Sequence, residues 1–418
     1  YVCGPINAED LVRVPDTRWV LSSGMAPGGG IYLVDSVSRE WRQLYTGAPE
    51  QVRHDAATYG ACPDAPALES FVSHGLHLRA KDDARATLYV VGHGGREAIE
   101  VFDVDATTAE PTITWRGCVP MPSGGVAANS VTSLSDGTLL ATVLMHPGQT
   151  FSDVFAGRLT GAVYRWSPGD DGFTIIPGSE LPGNNGIEVS ADEREIYVVS
   201  TGLASISVFA NESPTRVLRA TPSLDYGPDN IHMTPEGLLI TGGPSNTDHA
   251  CGELDVENVV LEEFASCPRG SVAATYDPAT LEEVQRWSSP PDPRFSNATM
   301  ALEVGEEVWI GTFAGDRIGV PVVVEAHGRD LRPDDVAQLL AEVGRKRRSR
   351  LRLAGEPAGQ LASPPRLGLV LERQHLRRGR LEPLADQGAP GADAGEERPV
   401  GVEPNRGRLE TQPGDRNQ

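Results

Sequence analysis

The sequence predicts an all-β fold, a six-bladed β-propeller with a disordered C-terminal extension, and three observations support this prediction. Short apolar segments recur in groups, roughly every 40–60 residues, which is typical of propellers and other repeat architectures. Glycine and proline are abundant, with 46 and 33 residues, as a chain with many turns requires. An Asn or Asp precedes an apolar strand in several groups, and a polar turn and a second strand follow, as at 228–241.

Six groups of predicted strands follow one another, and we find no convincing helix among them. In order, the groups are 19–24, 31–34 and 40–44; 87–92, 98–104 and 113–115; 139–143, 161–166 and 172–176; 196–200, 205–209 and 216–219; 238–241, 271–276 and 284–287; and 299–302 with 307–312. We expect the N-terminal strand to complete the last blade and so remove exposed sheet edges. A pair of β-sandwiches is the alternative, but it does not explain the recurring Asn and Asp.

We assign residues 1–319 to the propeller and residues 320–418 to a separate tail. After Gly319 the chain is rich in Pro, Gly, Ala and Arg and poor in aromatic residues, with one predicted helix at 334–343. Such a composition cannot bury enough apolar surface to offset the entropy of ordering. The tail is therefore predicted to be disordered, or an aberrant extension; a basic nucleic-acid-binding arm is the alternative.

The formal net charge of -22 argues against nucleic acid or an anionic membrane as a partner. An acidic surface suits cation binding, although it is also common in soluble proteins with no such function. The sequence contains no apolar run of about 20 residues, the length that a membrane-spanning helix needs.

Several features favour an exported, secreted protein. The chain begins at Tyr1 without Met, which suggests that a leader has been removed. Its five cysteines form no close Cys/His metal pattern, so zinc is not expected, and we consider disulfides between Cys251 and Cys267 and between Cys62 and Cys118. Sequons at Asn211 and Asn297 permit glycosylation.

Carboxylates and amides recur near the starts of strands in different groups. If the groups are propeller blades, these side chains lie close to the axis at one mouth of the central channel. Converging oxygen ligands suit Ca²⁺, which accepts six to eight oxygens in loose geometry. The alternative is that each residue only stabilises a turn. The candidate ligands are Glu9, Asn129, Asn185, Asp229 and Asn230.

Two histidines are candidates for general-base catalysis. His74 lies in Ser73-His74-Gly75, and His93 follows 19 residues later, a separation that a hairpin can bridge. A histidine pair beside a metal can activate water, because one imidazole takes the proton while the other supports it. The alternative is that they are two ordinary polar-turn histidines. The chain has no Gly-x-Ser-x-Gly elbow, no phosphate-binding Gly-x-x-x-x-Gly-Lys and no His-Glu-x-x-His.

Together these motifs resemble the paraoxonase/arylesterase family within the calcium-dependent, gluconolactonase-like propeller hydrolases. The resemblance covers about residues 3–319 and rests on Glu9-Asp10, Ser73-His74-Gly75, His93, Asn129, Asn185-Gly186-Ile187 and Asp229-Asn230-Ile231. It implies a six-bladed propeller whose axial calcium is held by the five candidate ligands. It also implies hydrolysis of lactones and aryl esters, with His74 as the base and His93 assisting.

The resemblance further implies a second, structural calcium at Asp10 and the Leu76 carbonyl. Ser130 stands where that site expects a carboxylate, which predicts weak binding of this ion. Cys3 resembles the family's N-terminal cysteine, but no cysteine follows residue 267 to pair with it. The expected partner is a small lactone or ester. The alternatives are a gluconolactonase-like sugar lactonase, which needs the metal but not His74, and a non-catalytic, ligand-binding propeller.

Overall fold

A computed structural model describes residues 1–249, 251 and 255–320 of the chain. The predicted disorder of the tail and its helix at 334–343 lie outside these residues. Within them the structure is an all-β propeller, so the predicted fold class is confirmed. It contains five four-stranded antiparallel sheets, whereas six had been predicted.

The chain begins with the short strand β1 (Val2–Cys3), and consecutive strands then form the sheets in sequence order. The first sheet contains β2 (Leu11–Arg13), β3 (Trp19–Gly24), β4 (Gly30–Asp35) and β5 (Trp41–Gln43). A 3-10 turn at Pro49–Gln51 leads to the second sheet, with β6 (Val72–Ala80), β7 (Arg85–His93), β8 (Ala98–Asp105) and β9 (Thr112–Pro120).

The third sheet contains β10 (Val131–Ser133), β11 (Leu139–Val143), β12 (Ala162–Trp166) and β13 (Thr174–Ile175), with helix α1 (Phe151–Phe155) between β11 and β12. The fourth contains β14 (Asn184–Val189), β15 (Glu195–Ser200), β16 (Ser205–Ala210) and β17 (Val217–Ala220). The fifth contains β18 (Ile231–Met233), β19 (Leu239–His249), β20 (Arg269–Tyr276) and β21 (Glu283–Ser289), with helix α2 (Leu261–Ser266) between β19 and β20.

The remaining strands form two two-stranded sheets where a sixth blade was predicted. One pairs β22 (Ala298–Val304) with β23 (Glu307–Thr312), and the other pairs β24 (Arg317–Ile318) with β1. An antiparallel bridge between Ile310 and Gly319 connects them. As expected, the N-terminal strand thus pairs with the C-terminal end of the propeller, with Val2 opposite Ile318.

Burial determines the residue pattern of the strands. The middle strands of the sheets are buried on both faces, so they carry long apolar runs, as in β7 and β15. The outermost strands β5, β13 and β17 are more exposed and carry a mixed pattern, and their predicted limits lie within two residues of the observed ones. The predictions fall short most at β9 and β19, which extend to Pro120 and His249. Between sheets the core includes large, fully buried side chains such as Trp115 and Trp309.

Strand β6 and both helices were not predicted. Strand β6 contains His74, Gly75 and His77, which read as a turn rather than as a strand. Helix α1 is only five residues long and begins with a capping box, in which Thr150 and Asp153 each accept a hydrogen bond from the other's backbone N–H.

Both candidate disulfides are present, Cys62–Cys118 and Cys251–Cys267, with Cα atoms 5.5 Å and 6.0 Å apart. Cys3 is exposed and is the free cysteine of the described chain. Asn297 is buried, and its side-chain nitrogen donates to the Ala265 carbonyl at 2.8 Å, so this sequon offers no accessible nitrogen to a glycan. Of the helices that the structure describes, none is long and apolar enough to cross a membrane.

Candidate functional site

The first strand of each blade lines the axis of the propeller. Strands β22, β2, β6, β10, β14 and β18 contact one another in that order. Residues at the starts of these strands therefore meet at one end of the axis. Glu9 precedes β2, Asn129 precedes β10, Asn185 lies in β14, and Asp229 and Asn230 precede β18.

Glycines allow these strands to approach closely. A Cβ atom at Gly75 would lie 2.7 Å from the Asn129 carbonyl oxygen, and one at Gly186 would lie 2.4 Å from the Asp229 carbonyl oxygen. Both distances are too short for a Cβ atom, so only glycine fits at these two positions. The Gly186 N–H donates to the Asp229 carbonyl oxygen at 3.0 Å. The glycine in Asn185-Gly186-Ile187 is thus required to hold two candidate ligands in adjacent blades at this separation.

Four side-chain oxygens of the predicted calcium ligands are buried and accept no hydrogen bond. They are Glu9 Oε2, Asn129 Oδ1, Asn185 Oδ1 and Asn230 Oδ1. Buried polar atoms are almost always paired, because an unpaired one loses its hydration without compensation. Four such oxygens from four blade positions are the signature expected of a cation site.

The amide groups are oriented by their nitrogens. Asn230 Nδ2 donates to Glu9 Oε1 at 2.6 Å, and Asn185 Nδ2 donates to Thr201 Oγ1 at 3.0 Å. Each bond leaves the amide oxygen as the free end. Thr201 was not identified from the sequence, because a threonine that follows a strand carries no distinguishing pattern.

The two carboxyl groups lie in an unfavourable environment without a cation. Burial, together with the charge of Asp10, raises the pKa of Glu9 well above its usual range. Burial and the charge of Glu9 do the same to the pKa of Asp229. A bound cation reverses this effect, since an opposite charge favours the ionised form.

The donor set therefore fits a hard cation such as calcium. It consists of two carboxylates and three amides, all oxygen donors, as calcium prefers. It is not a cluster of acidic and histidine ligands: the described residues contain no group of three or more His, Cys, Asp or Glu side chains placed to hold a metal ion.

The predicted histidine pair is in contact and continues into a third residue. His74 Nδ1 lies 3.1 Å from His93 Nε2, and His93 Nδ1 lies 2.5 Å from Glu97 Oε2. At the other end, His74 Nε2 is 3.6 Å from Glu9 Oε1. Glu9 belongs to the set of five candidate ligands, Glu9, Asn129, Asn185, Asp229 and Asn230, which we call the oxygen ring. Glu97 was missed, because one glutamate four residues after a histidine has no recognisable spacing signal.

The contacts determine the tautomers of both rings. A carboxylate only accepts hydrogen bonds, so Glu97 requires a proton on His93 Nδ1. His93 Nε2 is then an acceptor, which requires a proton on His74 Nδ1 and leaves the lone pair of His74 Nε2 facing the site. Burial lowers the pKa of His74, and the charges of Asp229 and Asp10 act in the opposite direction.

The second calcium position does not fit an ion in this structure. Asp10 Oδ1 accepts from the Leu11 N–H at 2.8 Å and contacts His232 Nε2 at 2.9 Å. Its Oδ2 accepts from the Leu76 N–H at 2.7 Å. Burial opposes the charge on His232, but Asp10 and Glu188 outweigh it and raise its pKa to about 10. His232 thus supplies the positive charge at Asp10.

A cavity of about 550 Å³ opens above the oxygen ring, and its lining includes Glu9, His74, Asn129, Asn185 and Asp229. This volume is within the usual range for small-molecule sites.

The upper walls of the cavity are largely apolar, and the two short helices contribute to them. Phe155 of α1 and Phe264 of α2 lie with ring centroids 6.0 Å apart, and Ser152 Oγ accepts from the Val259 N–H at 3.0 Å. The two helices that the sequence did not predict therefore form part of the cavity wall.

No protein-family model matches this chain, and no curated protein matches it in sequence. Among solved structures the chain is similar to a luciferin-regenerating enzyme, with 12% identity and a TM-score of 0.45 over 74% of this chain and 85% of the other. It is also similar to a gluconolactonase from Xanthomonas campestris, with 15% identity and a TM-score of 0.44 over 77% and 88% of the two chains.

A third similar structure is regucalcin, a calcium-binding protein from Agrobacterium tumefaciens, with 11% identity and a TM-score of 0.42 over 74% of this chain and 83% of the other. The neighbours are thus gluconolactonase- and regucalcin-like proteins at low identity. Identities and TM-scores this low do not assign an activity, and the resemblance to paraoxonases stays a prediction.

Proposed function

We propose that this protein is a calcium-dependent hydrolase of lactones and aryl esters. The observation that carries the proposal is the set of four buried, unpartnered oxygens next to a histidine whose tautomer is held by a second histidine and a glutamate. The oxygens fit a cation, and the histidine chain fits a base directed at the same place.

The ion is held by Glu9, Asn129, Asn185, Asp229 and Asn230. When bound, calcium polarises the carbonyl of the substrate and stabilises the negative charge that develops on its oxygen. The second site, at Asp10 and Leu76, is not part of the proposal, because hydrogen-bond donors already surround the Asp10 carboxylate.

His74 is the base, and His93 and Glu97 support it. His74 Nε2 takes a proton from water as the oxygen of that water attacks the carbonyl carbon. The acyl C–O bond of the lactone or ester then breaks, and the leaving alcohol oxygen takes the proton from His74 Nε2. His93 Nε2 accepts the hydrogen bond from His74 Nδ1 and stabilises the resulting imidazolium. Glu97 holds His93 in the orientation and tautomer that this contact needs.

Further parts of the proposal concern the whole chain. Strands β22, β23, β24 and β1 act together as a sixth blade, because the Ile310–Gly319 bridge makes them one row of strands. Two disulfides favour an extracytoplasmic location. Residues beyond the propeller are not required for activity.

The test is hydrolysis of aliphatic lactones, sugar lactones and phenyl acetate by the full chain, with calcium and after chelation with EGTA. We expect turnover of aliphatic lactones or phenyl acetate that is lost with EGTA and restored by calcium. Turnover of sugar lactones alone would favour the gluconolactonase-like alternative. Calcium binding without any turnover across the panel would contradict an enzymatic role and favour a ligand-binding propeller.

A further inference from the structure

Arg269, the first residue of β20, has an unusual environment. It is 7% exposed, and it lines the same cavity as the oxygen ring. Among the cavity-lining residues that the structure describes, it is the only arginine or lysine.

The guanidinium of Arg269 has no acidic partner within the described part of the chain. The salt bridges found there do not include it, and its Nε is buried without a hydrogen-bond acceptor. The other basic side chain that is buried in the described part of the chain, His232, is paired, with its Nε2 2.9 Å from Asp10 Oδ1. Burying an unpaired charge is costly, so such a group in a cavity indicates a partner that arrives with a ligand.

One contact of Arg269 is visible, and it leaves the hydrogen-bonding edge free. The guanidinium carbon lies 4.5 Å from the centre of the Phe264 ring, a cation–π contact with one face of the group. Stacking uses the face of a guanidinium, whereas a carboxylate binds to its edge through two parallel N–H groups. Burial lowers the pKa of Arg269, with no opposing effect from a nearby carboxylate.

We propose that Arg269 binds a carboxylate group of the ligand, and that the ligand combines this carboxylate with an apolar body. The apolar body follows from the walls, which include Phe151, Leu261 and Phe313. With a net charge of -22 the protein repels anions at long range, so a single buried cation is the feature that selects for one.

In the proposed hydrolysis, the substrates are lactones or esters that carry a carboxylate remote from the carbonyl that reacts. This extension rests on the proposed hydrolase function. The carboxylate site itself does not.

The test compares two ligands of equal length, octanoate and neutral octanamide, by calorimetric titration of the full, calcium-loaded chain. We expect octanoate to bind at least about tenfold more tightly, which corresponds to about 1.4 kcal/mol. In Arg269→Gln, octanoate should bind no better than octanamide, and octanamide should bind as it does to the wild type. In Arg269→Lys part of the preference for octanoate should remain, because the positive charge is kept and the two parallel N–H groups of the guanidinium are lost.

Arg53→Gln is the matched control, since Arg53 is exposed and its removal changes the net charge equally. It should keep the full preference for octanoate. The wild-type comparison alone overturns the proposal if octanoate and octanamide bind equally, whether or not the variants fold. A preference that survives Arg269→Gln and disappears with EGTA would place the carboxylate at the oxygen ring and would also overturn it.

These outcomes separate the carboxylate site from the hydrolase function. Turnover of neutral lactones with no preference for octanoate would support the hydrolase function and exclude the carboxylate site at Arg269. An octanoate preference that depends on Arg269, in a chain that hydrolyses no lactone, would keep the site and exclude the function.

Discussion

Asp229 is the residue at which the cation site can be tested most directly. Its carboxylate is a proposed ligand, and without a cation it also repels the carboxylate of Glu9. We expect Asp229→Asn to weaken calcium binding at least about tenfold, since one of two anionic ligands is lost. In EGTA the same variant should melt at a higher temperature than the wild type, since Glu9 no longer faces a second buried carboxyl group. Calcium titration and thermal melting measure the two effects.

Asp171→Asn is the control for this prediction, because Asp171 is exposed and lies between β12 and the outermost strand β13. Neither its calcium affinity nor its melting temperature in EGTA should change. Unaltered calcium binding in Asp229→Asn would remove Asp229 from the ligand set, and an unchanged melting temperature would contradict the repulsion.

The histidine chain makes a prediction about rate rather than binding. His74→Gln should lower kcat by about 10²–10⁴-fold and leave calcium affinity intact, because it removes the base only. Glu97→Gln should lower kcat by a smaller factor with little change in KM, because Gln can present an N–H to His93 and so disturb the tautomer. Steady-state kinetics on the best lactone gives both values.

Glu69→Gln is a suitable control for Glu97→Gln, since Glu69 is an exposed glutamate close in sequence to the strand that carries His74. It should keep wild-type kinetics. Wild-type kcat in Glu97→Gln would show that His93 does not depend on Glu97. An equal loss in both glutamate variants would point to a general effect of charge.

Within the fourth sheet, one ion pair provides a test of pH dependence. Arg219 of β17 donates to both carboxylate oxygens of Glu195 of β15, at 2.7 Å and 2.6 Å, and this pairing lowers the pKa of Glu195. A carboxyl group whose pKa is lower in the folded state adds stability above its unfolded pKa of about 4.3 and loses it as the pH falls through the folded value.

Glu195→Gln should therefore reduce the free energy of unfolding by up to about 1 kcal/mol at pH 7, since the pair is partly exposed. The difference from the wild type should shrink below pH 4 and vanish once Glu195 is protonated in the folded protein. Urea unfolding at several pH values measures it. A difference that is constant with pH would show that the ion pair does not contribute.

Elements buried on two faces could be predicted from the sequence, and elements that form the upper cavity could not. Strands such as β15 carry a long apolar run, because neighbouring blades cover both of their faces. Helices α1 and α2 are five and six residues long, and beyond the capping box of α1 they are joined by Phe155 against Phe264 and by one hydrogen bond to Ser152. Contacts between segments so distant in sequence leave no local pattern.

The candidate site follows the same division. The recurrence of carboxylates and amides near the starts of the first strands could be recognised in the sequence, and their role as ligands stays a prediction. Glu97 and Arg269 could not be predicted, because each occurs once. Glu97 gains its role from a contact with His93, four residues earlier in the chain, and Arg269 from the cavity that it lines.

For the whole molecule, the closing contact between β1 and β24 predicts where the chain can be shortened. Truncation after Val320 should leave the melting temperature and turnover unchanged, because every described strand is kept. Truncation after Asp316 should lower the melting temperature markedly, because it removes β24 and exposes the edges of β1 and of Ile310. Calorimetry of both truncated chains and of the full chain measures the difference.

A large loss of stability in the longer truncated chain would show that residues beyond 320 belong to the folded domain. Equal stability of the two truncated chains would show that the pairing of β1 with β24 does not hold the ring closed.

The pairing of Val2 with Ile318 also sets the order of events during synthesis. The first strand leaves the ribosome early, but its partner follows only after more than 300 further residues, so β1 stays unpaired while the other blades form. Closing so long a loop is entropically unfavourable until the intervening blades have packed and brought the ends together. The nascent propeller therefore remains an open arc until its last strand emerges, and only then does Val2, which is buried in the folded protein, lose its contact with water.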